Sequence, residues 1–210
     1  QVIYSSDNKD GEDIITIDPL VAYNVKAYTN PPMVKNNVLF DYNKTNDLVY
    51  KVEQGFLNVR YEAKRTTYQV PEYPIVVRKR GEKDIVNIQK VNEKVPYQAG
   101  RYDVVILSTP YIELNDVAVN HVSNTDLAIP TPGAASIAKP KTITRGTLFA
   151  INGADWQYVC NLDSGKVSER ILLMPGEYVV VLKPIATFTN EPIMVQKFRI
   201  DAGLTTTVQI

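Results

Sequence analysis

The stretch Gly100-Arg101-Tyr102-Asp103-Val104 decides the fold, because the chain repeats it. Its Tyr-x-Val centre occurs earlier as Tyr23-Asn24-Val25 and later as Tyr178-Val179-Val180, where Gly176 again stands two residues ahead of the tyrosine. The copies are nearly eighty residues apart. Solenoid and propeller repeats have periods of roughly 20 to 50 residues, so each copy is predicted to be a small domain.

A shared continuation follows the first two copies at a constant offset of 79 residues. The five matched residues of the first copy are Pro31, Asn36, Val38, Asp47 and Leu48, which reappear as Pro110, Asn115, Val117, Asp126 and Leu127. A constant offset at five positions indicates a repeated domain and not a chance motif.

Apolar residues alternate with polar ones in short runs along the whole chain, and this period of two predicts β-strands. The clearest runs are residues 56–61, 102–107, 117–119 and 198–200. No stretch of ten or more residues has helical spacing, and turns rich in glycine and proline separate the runs. The predicted fold class is therefore all-β, as tandem small antiparallel β-sandwich modules.

Each module is predicted to open with a strand that follows a glycine, at residues 55–59 and 133–137. It is predicted to close with a Gly-x-Tyr strand and a hairpin, which joins 117–119 to 127–129 in one copy and 198–200 to 207–210 in the other. Six or seven strands are expected per module.

The predicted domains are a partial module over residues 1–52 and two β-sandwich modules over 53–130 and 131–210. The partial module contains only terminal strands, namely the Tyr23 strand and a hairpin from 38–40 to 48–50. We expect residues 14–52 to dock against 53–130, or to recruit a strand from residues 1–13 or from a second molecule, because a two- or three-stranded piece is marginally stable.

Composition excludes two classes of partner. Lys+Arg and Asp+Glu both number 23, so the formal net charge is zero and no basic field attracts nucleic acid. The sequence also lacks an apolar run of roughly 18 residues, so no membrane insertion is expected.

Catalytic and metal-binding groups are scarce. The chain contains one histidine, His121, in a predicted turn, and one cysteine, Cys160, in a predicted strand. We interpret His121 as an exposed turn residue and Cys160 as a buried or half-buried apolar residue, since no basic group near it would activate the thiol. The chain is therefore predicted not to be an enzyme and to need no cofactor, and one His with one Cys cannot supply the usual ligands of zinc.

Residues 7–13 have the acidic density of a calcium loop, but the register of an EF-hand would require an acid where Ile17 stands. A solvated acidic segment is the preferred interpretation, and no metal site is predicted.

Tyrosine numbers 13 against one tryptophan, which raises the possibility that the protein binds carbohydrate by ring stacking. Tyr102 and Tyr178 recur at the repeat-defining position, so we predict that they pack as in a tyrosine corner. The candidates for a ligand-stacking surface are the tyrosines outside the repeat pattern: Tyr68, Tyr73, Tyr97 and Tyr111.

The Gly-opened strand, the Pro175-Gly176-Glu177-Tyr178 strand and the final Gly-turn hairpin resemble the PEGA-type, Ig-like β-modules of bacterial envelope proteins. More narrowly, 97–104 and 156–162 resemble the tandem β-modules that follow the von Willebrand factor A domain in proteins of Bacteroidota. The Asp-x-Ser-x-Ser metal motif of the A domain is absent here. The resemblance therefore implies a packing module beside an upstream A domain, in an extracytoplasmic setting.

Together these features predict a structural and interaction protein that acts as a stalk or docking platform. The expected partner is another protein or an upstream domain of the same polypeptide. A carbohydrate- or peptidoglycan-binding module is the alternative.

Overall fold

The computed structural model describes residues 15–62, 65–139, 143–184 and 194–209, and their regular elements are all β-strands. The strands are β1 Tyr23–Ala27, β2 Met33–Val38, β3 Gln54–Tyr61, β4 Pro74–Lys79, β5 Ile85–Lys90, β6 Lys94–Gln98, β7 Gly100–Ile106, β8 Ile112–Val119, β9 Asn124–Ile129, β10 Gly133–Ala138, β11 Ile143–Asn152, β12 Asp155–Asn161, β13 Ser168–Leu173, β14 Gly176–Pro184, β15 Met194–Ile200 and β16 Thr205–Gln209. The all-β prediction is confirmed. Among the described residues no helix is long and apolar enough to span a membrane.

The chain divides into two compact units, Gln1–Val52 and Glu53–Ile210. In the first unit β1 and β2 form an antiparallel hairpin, and the described residues around it are irregular. The predicted hairpin from 38–40 to 48–50 is wrong, because residue 38 ends β2 and residues 48–50 form no strand.

The second unit contains two pairs of sheets with the same order of strands. Sheet β6-β3-β9 and sheet β5-β4-β7-β8 come from residues 54–129, and sheet β13-β10-β16 and sheet β12-β11-β14-β15 come from residues 133–209. Within the described ranges, seven strands therefore make each sandwich. The division of this unit into two domains at 130/131 stays a prediction.

Each sandwich contains one parallel pair of strands among antiparallel ones. Strand β9 pairs in parallel with β3, and β16 pairs in parallel with β10, while β8 and β15 pair with the Gly-x-Tyr strands of the opposite sheets. The two predicted closing hairpins of these modules are therefore wrong. The polar turn after β8 or β15 carries the chain from one sheet to the other, and the same alternation on both sides made it look like a hairpin turn.

Strands β6 and β13 were not predicted. Strand β6 contains Pro96, which has no N–H to donate, and it lies at the edge of its sheet, where a proline is tolerated. The proline concealed this strand in the sequence.

Apolar residues of both sheets meet in one core per sandwich. The first core comprises Leu57, Val59, Ile75, Val77, Val91, Val95, Tyr97, Tyr102, Val104, Ile106, Val117, Val119 and Ile129. The second comprises Ala135, Ile137, Leu148, Ala150, Leu162, Leu173, Tyr178, Val180, Leu182, Ile200 and Val208.

The glycines that open the first strand of each sandwich have a steric reason. A Cβ on Gly55 would lie 2.0 Å from the carbonyl oxygen of Asn120, and a Cβ on Gly133 would lie 2.5 Å from that of Asp201. Both oxygens belong to the crossover between the two sheets. The crossover can pass this close only over a residue without a side chain.

Candidate functional site

The four candidate tyrosines lie in three different environments. Tyr97 is fully buried, with its ring edge-on to Tyr102 at 5.4 Å between centroids. Its hydroxyl donates to Oε1 of Gln89 at 2.6 Å and accepts from Nδ2 of Asn87 at 3.1 Å. The prediction that Tyr97 belongs to a ligand-stacking surface is wrong, because its ring and hydroxyl are used inside the first core.

Tyr68 is half-buried where the two sandwiches meet. Its hydroxyl donates to the carbonyl oxygen of Pro132 at 2.6 Å, and the guanidinium of Arg170 lies 4.7 Å from its ring centroid. This ring face is therefore occupied by a cation of the second sandwich. Burial raises the pKa of Tyr68, while the nearby charge of Arg170 lowers it.

Tyr73 is half-buried beside it and packs against the first core. Burial raises the pKa of Tyr73, and the neighbouring Tyr68 adds to this effect. Tyr73 also contributes to the raised pKa of Tyr178, a core residue of the second sandwich, although burial is the larger cause there. Tyr68 and Tyr73 are thus brought together, in a junction between sandwiches and not on an open ligand surface.

Backbone groups complete this junction. The amide of Met174 in the second sandwich donates to the carbonyl of Thr109 in the first, at 2.8 Å. The hydroxyl of Thr131, in the connection between the sandwiches, donates to the carbonyl of Glu62 at 2.6 Å. We call the set Glu62, Tyr68, Tyr73, Thr109, Thr131, Pro132, Arg170 and Met174 the junction.

Tyr111 is the most exposed of the four candidates, at 53% of its surface. It lines an open hollow of about 120 Å³ beside the junction, together with Pro110, Ile151 and Glu177. The hollow is too small to enclose a ligand, since pockets that bury small molecules have volumes of roughly 300 to 1,000 Å³. Of the four candidates, only Tyr111 keeps an exposed ring that a ligand could contact.

A second group of exposed aromatic side chains was not predicted from the sequence. Trp156 and Tyr158 on β12 are 47% and 58% exposed, and they lie across the strand pair from Ile151 and Phe149. The ring of Phe149 is 6.0 Å from Trp156 and 6.3 Å from Tyr158 between centroids. We call Phe149, Trp156 and Tyr158 the aromatic patch.

The signal that could have found the aromatic patch was the alternation Trp156-x-Tyr158, which puts both rings on one face of a strand. It was ambiguous, because apolar residues occupy both faces of β11 and β12. Only the sheet pairing distinguishes the outer face from the core.

His121 and Cys160 lie where the sequence analysis expected them. His121 is exposed in the turn between β8 and β9, and Cys160 is half-buried on β12. Burial raises the pKa of the Cys160 thiol, and the charge of Glu169 raises it further. A thiol with a raised pKa is a poor nucleophile at neutral pH.

No cluster of three or more His, Cys, Asp or Glu side chains that could hold a metal ion occurs within the described ranges. The acidic residues 7–13, considered above as a calcium loop, lie outside those ranges.

No protein-family model matches the sequence, and no curated protein matches it. Among solved structures, the chain is similar to the TIE protein of Bacillus anthracis, with 12% identity and a TM-score of 0.32 over 75% of this chain and 34% of that one. It is similar to the minor pilin of Streptococcus agalactiae, with 15% identity and a TM-score of 0.35 over 74% and 94% of the two chains. It is also similar to a candidate adhesin of Bacteroides ovatus, with 10% identity and a TM-score of 0.33 over 77% and 93%. The chain thus spans about a third of the first protein's length.

Proposed function

We propose that residues 53–210 form a stiff, non-enzymatic spacer and docking platform in an extracytoplasmic protein. The observation that carries this proposal is the junction, in which side chains and backbone of the first sandwich bind the connecting residues and the second sandwich directly.

The connection between the sandwiches is too short and too well bonded to act as a swivel. Three residues separate the end of β9 from the start of β10, and two of them, Thr131 and Pro132, are buried. Thr131 donates to Glu62, and the carbonyl of Pro132 accepts from Tyr68. Free linkers are exposed and lack such bonds, so this one supports a fixed angle between sandwiches.

The chemistry of the reactive side chains supports a role without catalysis. His121 is exposed in a turn of the first sandwich, and Cys160 is half-buried in the second with a raised thiol pKa. Covalent catalysis requires a nucleophile and a base within hydrogen-bond reach of each other.

The setting of the platform is part of the proposal. The sequence resemblance to the β-modules of von Willebrand factor A domain proteins leads us to place it beside such a domain in the same polypeptide, outside the cytoplasm. A spacer of fixed geometry would hold that domain, or a protein partner, at a set distance and orientation.

Electron paramagnetic resonance distances test the stiffness. Nitroxide labels go on Lys83→Cys and Ala154→Cys, two exposed turn positions in different sandwiches, in a Cys160→Ser background. We expect one narrow distance distribution. It should broaden in Tyr68→Phe with Thr131→Val, which removes two junction hydrogen bonds while keeping the side-chain volumes close to the original.

Tyr158→Phe is the matched control, because this exposed tyrosine lies outside the junction and should leave the distribution unchanged. A broad distribution in the otherwise unaltered protein, with both sandwiches folded by circular dichroism, would overturn the spacer proposal.

Carbohydrate binding is a second candidate, and the aromatic patch is the observation that favours it. Trp156 and Tyr158 are exposed aromatic rings on one strand, and exposed aromatic rings can stack against the apolar side of a sugar. A glycan array with purified protein tests this candidate. Reproducible binding that Trp156→Ala and Tyr158→Ala abolish, and that Tyr42→Ala in the first unit leaves intact, would support it. If only Tyr111→Ala abolished glycan binding, the binding site would instead be the hollow that Tyr111 lines.

A further inference from the structure

The hairpin β1–β2 of the first unit corresponds, residue by residue, to β7–β8 of the first complete sandwich. Tyr23 pairs with Val38, and 79 residues later (102 − 23) Tyr102 pairs with Val117. Both pairings are followed by a shift of register at the next residue. Hairpins share no such irregularity unless their sequences specify it.

The bond that holds this irregularity is repeated as well. Asn37 and Asp116 have positive φ angles of 56° and 61°. The amide of Asn37 donates to Oδ1 of Asn24 at 3.2 Å, and the amide of Asp116 donates to Oδ1 of Asp103 at 3.0 Å. The first unit therefore contains the same local structure as the Gly-x-Tyr strand and its partner.

Among the described residues, β1 has no neighbour that corresponds to β4, the strand beside β7. In the complete sandwiches the other edge of the Gly-x-Tyr strand is paired, β7 with β4 and β14 with β11. Among the described residues β1 pairs only with β2. The edge of Tyr23–Ala27 that faces away from β2 therefore has no strand beside it in those ranges, and such an edge is a template for another strand.

The described residues of the first unit also lack a counterpart of the parallel pairing between β3 and β9. Residues 45–50 correspond to β9 by the same offset, and they include Asp47-Leu48, the match of Asp126-Leu127. Strand β9 is held by its parallel pairing with β3. Residues 45–50 form no strand, which is the expected result where a counterpart of β3 is lacking.

The burial of apolar residues also indicates that part of the core is lacking in the described part of the first unit. Five inward residues of β7, β8 and β9 are buried, whereas the residues that match them in the first unit are only half-buried. The matched pairs are Tyr23 with Tyr102, Val25 with Val104, Val38 with Val117, Phe40 with Val119 and Tyr50 with Ile129. In the complete sandwich, β3, β4 and β6 supply the missing cover through Leu57, Val59, Ile75, Val77, Val95 and Tyr97.

We propose that residues 15–52 are the last part of a third sandwich of the same type, completed by a segment that precedes residue 15 in the same polypeptide. This segment adds one strand antiparallel to β1, as β4 does to β7, and one strand parallel to residues 45–50, as β3 does to β9. It comes from the same polypeptide because β3–β6 and β10–β13 directly precede their Gly-x-Tyr strands in both complete copies.

The repeat also specifies the chemistry of this segment. It contains two strands with alternating apolar residues, like Leu57 with Val59 and Ile75 with Val77. A glycine opens the first of them, because the crossover after Phe40 corresponds to the one that passes over Gly55. A residue with a Cβ there would meet the backbone near Asp41, the counterpart of Asn120.

Hydrogen exchange tests the proposal with a probe taken from this chain. A copy of residues 53–98 is fused so that its last residue precedes residue 20, which reproduces the step from Gln98 to Ala99. We expect amides of Tyr23–Ala27 and of residues 45–50 to gain protection of about tenfold or more over the unextended chain. Amides of β7 and β14 serve as the internal reference for a folded second unit.

The matched control carries Ile75→Asp and Val77→Asp in the added copy only, and it should give no gain. Two results would overturn the proposal. One is an unchanged exchange of residues 45–50 in the fusion while β7 and β14 stay protected. The other is protection of Tyr23–Ala27 in the unextended chain that rises with protein concentration, since it would assign the open edge to a second copy. Both readouts concern the first unit, so they are independent of the spacer test on residues 53–210.

Discussion

Tyr102 and Tyr178 hold the same position in successive sandwiches, and each donates its hydroxyl to the carbonyl four residues before it. The distances are 2.7 Å to Gln98 and 2.6 Å to Met174. Both rings are buried, at 1% and 2% exposure, and each passes 3.7 Å from the site of a Cβ on the glycine two residues earlier. The recurrent tyrosine is therefore a packing element that ties the Gly-x-Tyr strand to the residue two positions before the strand begins.

Removal of this ring should be costly. We expect Tyr178→Ala to lower the free energy of unfolding by about 3 kcal/mol or more, since it leaves a large cavity in the second core. Tyr178→Phe keeps the ring, loses one hydrogen bond and should cost about 1 kcal/mol. Denaturant unfolding followed by circular dichroism measures both. Tyr158→Ala, which removes an exposed ring, is the control. If Tyr178→Ala lowers the free energy of unfolding no more than Tyr158→Ala does, the packing role of Tyr178 is contradicted.

The two kinds of repeat glycine should respond differently to alanine. Gly133→Ala places a Cβ 2.5 Å from the carbonyl of Asp201, so the crossover must move and thermal unfolding should occur at a clearly lower temperature. Gly176→Ala meets only the ring of Tyr178 at 3.7 Å, an ordinary contact, and should be nearly neutral. Calorimetry of the two variants provides the comparison. If both variants lowered the unfolding temperature equally, the close approach of the crossover would not be the reason for the glycine at residue 133.

Alkaline pH should destabilise the first sandwich through its core tyrosines. Burial raises the pKa of Tyr97 and Tyr102 from 10.0 to about 12 each. The unfolded chain loses these protons at lower pH than the folded chain, so their stabilising contribution is complete below pH 10 and is lost as pH rises toward about 12. The slope is up to about 1.4 kcal/mol per pH unit for each tyrosine.

Urea unfolding at several pH values, with tyrosinate absorbance as a second probe, measures this loss. Tyr97→Phe removes one titrating group and should flatten the slope, whereas Tyr111→Phe, at an exposed position, should not. If Tyr97→Phe has the same slope of unfolding free energy against pH as the unaltered protein, then Tyr97 ionises without unfolding of the sandwich.

Deletion of residues 1–52 should leave residues 53–210 cooperatively folded. The second unit contains both complete cores and all the sheets from β3 to β16. Deletion of residues 1–61 should instead disrupt the first sandwich, because it removes β3, the central strand of its three-stranded sheet. Thermal unfolding decides the matter. A non-cooperative transition in the shorter deletion would mean that the first unit is part of the first sandwich's core.

Much of the fold was accessible from the repeat. The offset of 79 residues matched Tyr23 with Tyr102 and Val38 with Val117, and these residues occupy equivalent cross-strand pairs. The packing role of Tyr102 and Tyr178 was also predictable, because a residue that recurs at the same position of every copy supports the fold that the copies have in common. The candidate site was less accessible, since a tyrosine reads the same in the sequence whether its ring lies in a core, in a junction or in solvent.

The sequence by itself determined most of the strands, the repeat and the positions of its tyrosines and opening glycines, because period-two alternation and local sterics depend on neighbours along the chain. Only the tertiary structure decided that β9 pairs in parallel with β3, that Tyr97 lies in the core and Tyr68 in the junction, and that Trp156 and Tyr158 face outward. Each of these depends on which strand lies beside another across 60 or more residues or on which face a neighbouring sheet covers. Alternation predicts that a strand has one apolar and one polar face, but only the packing of a neighbouring sheet determines which face is buried.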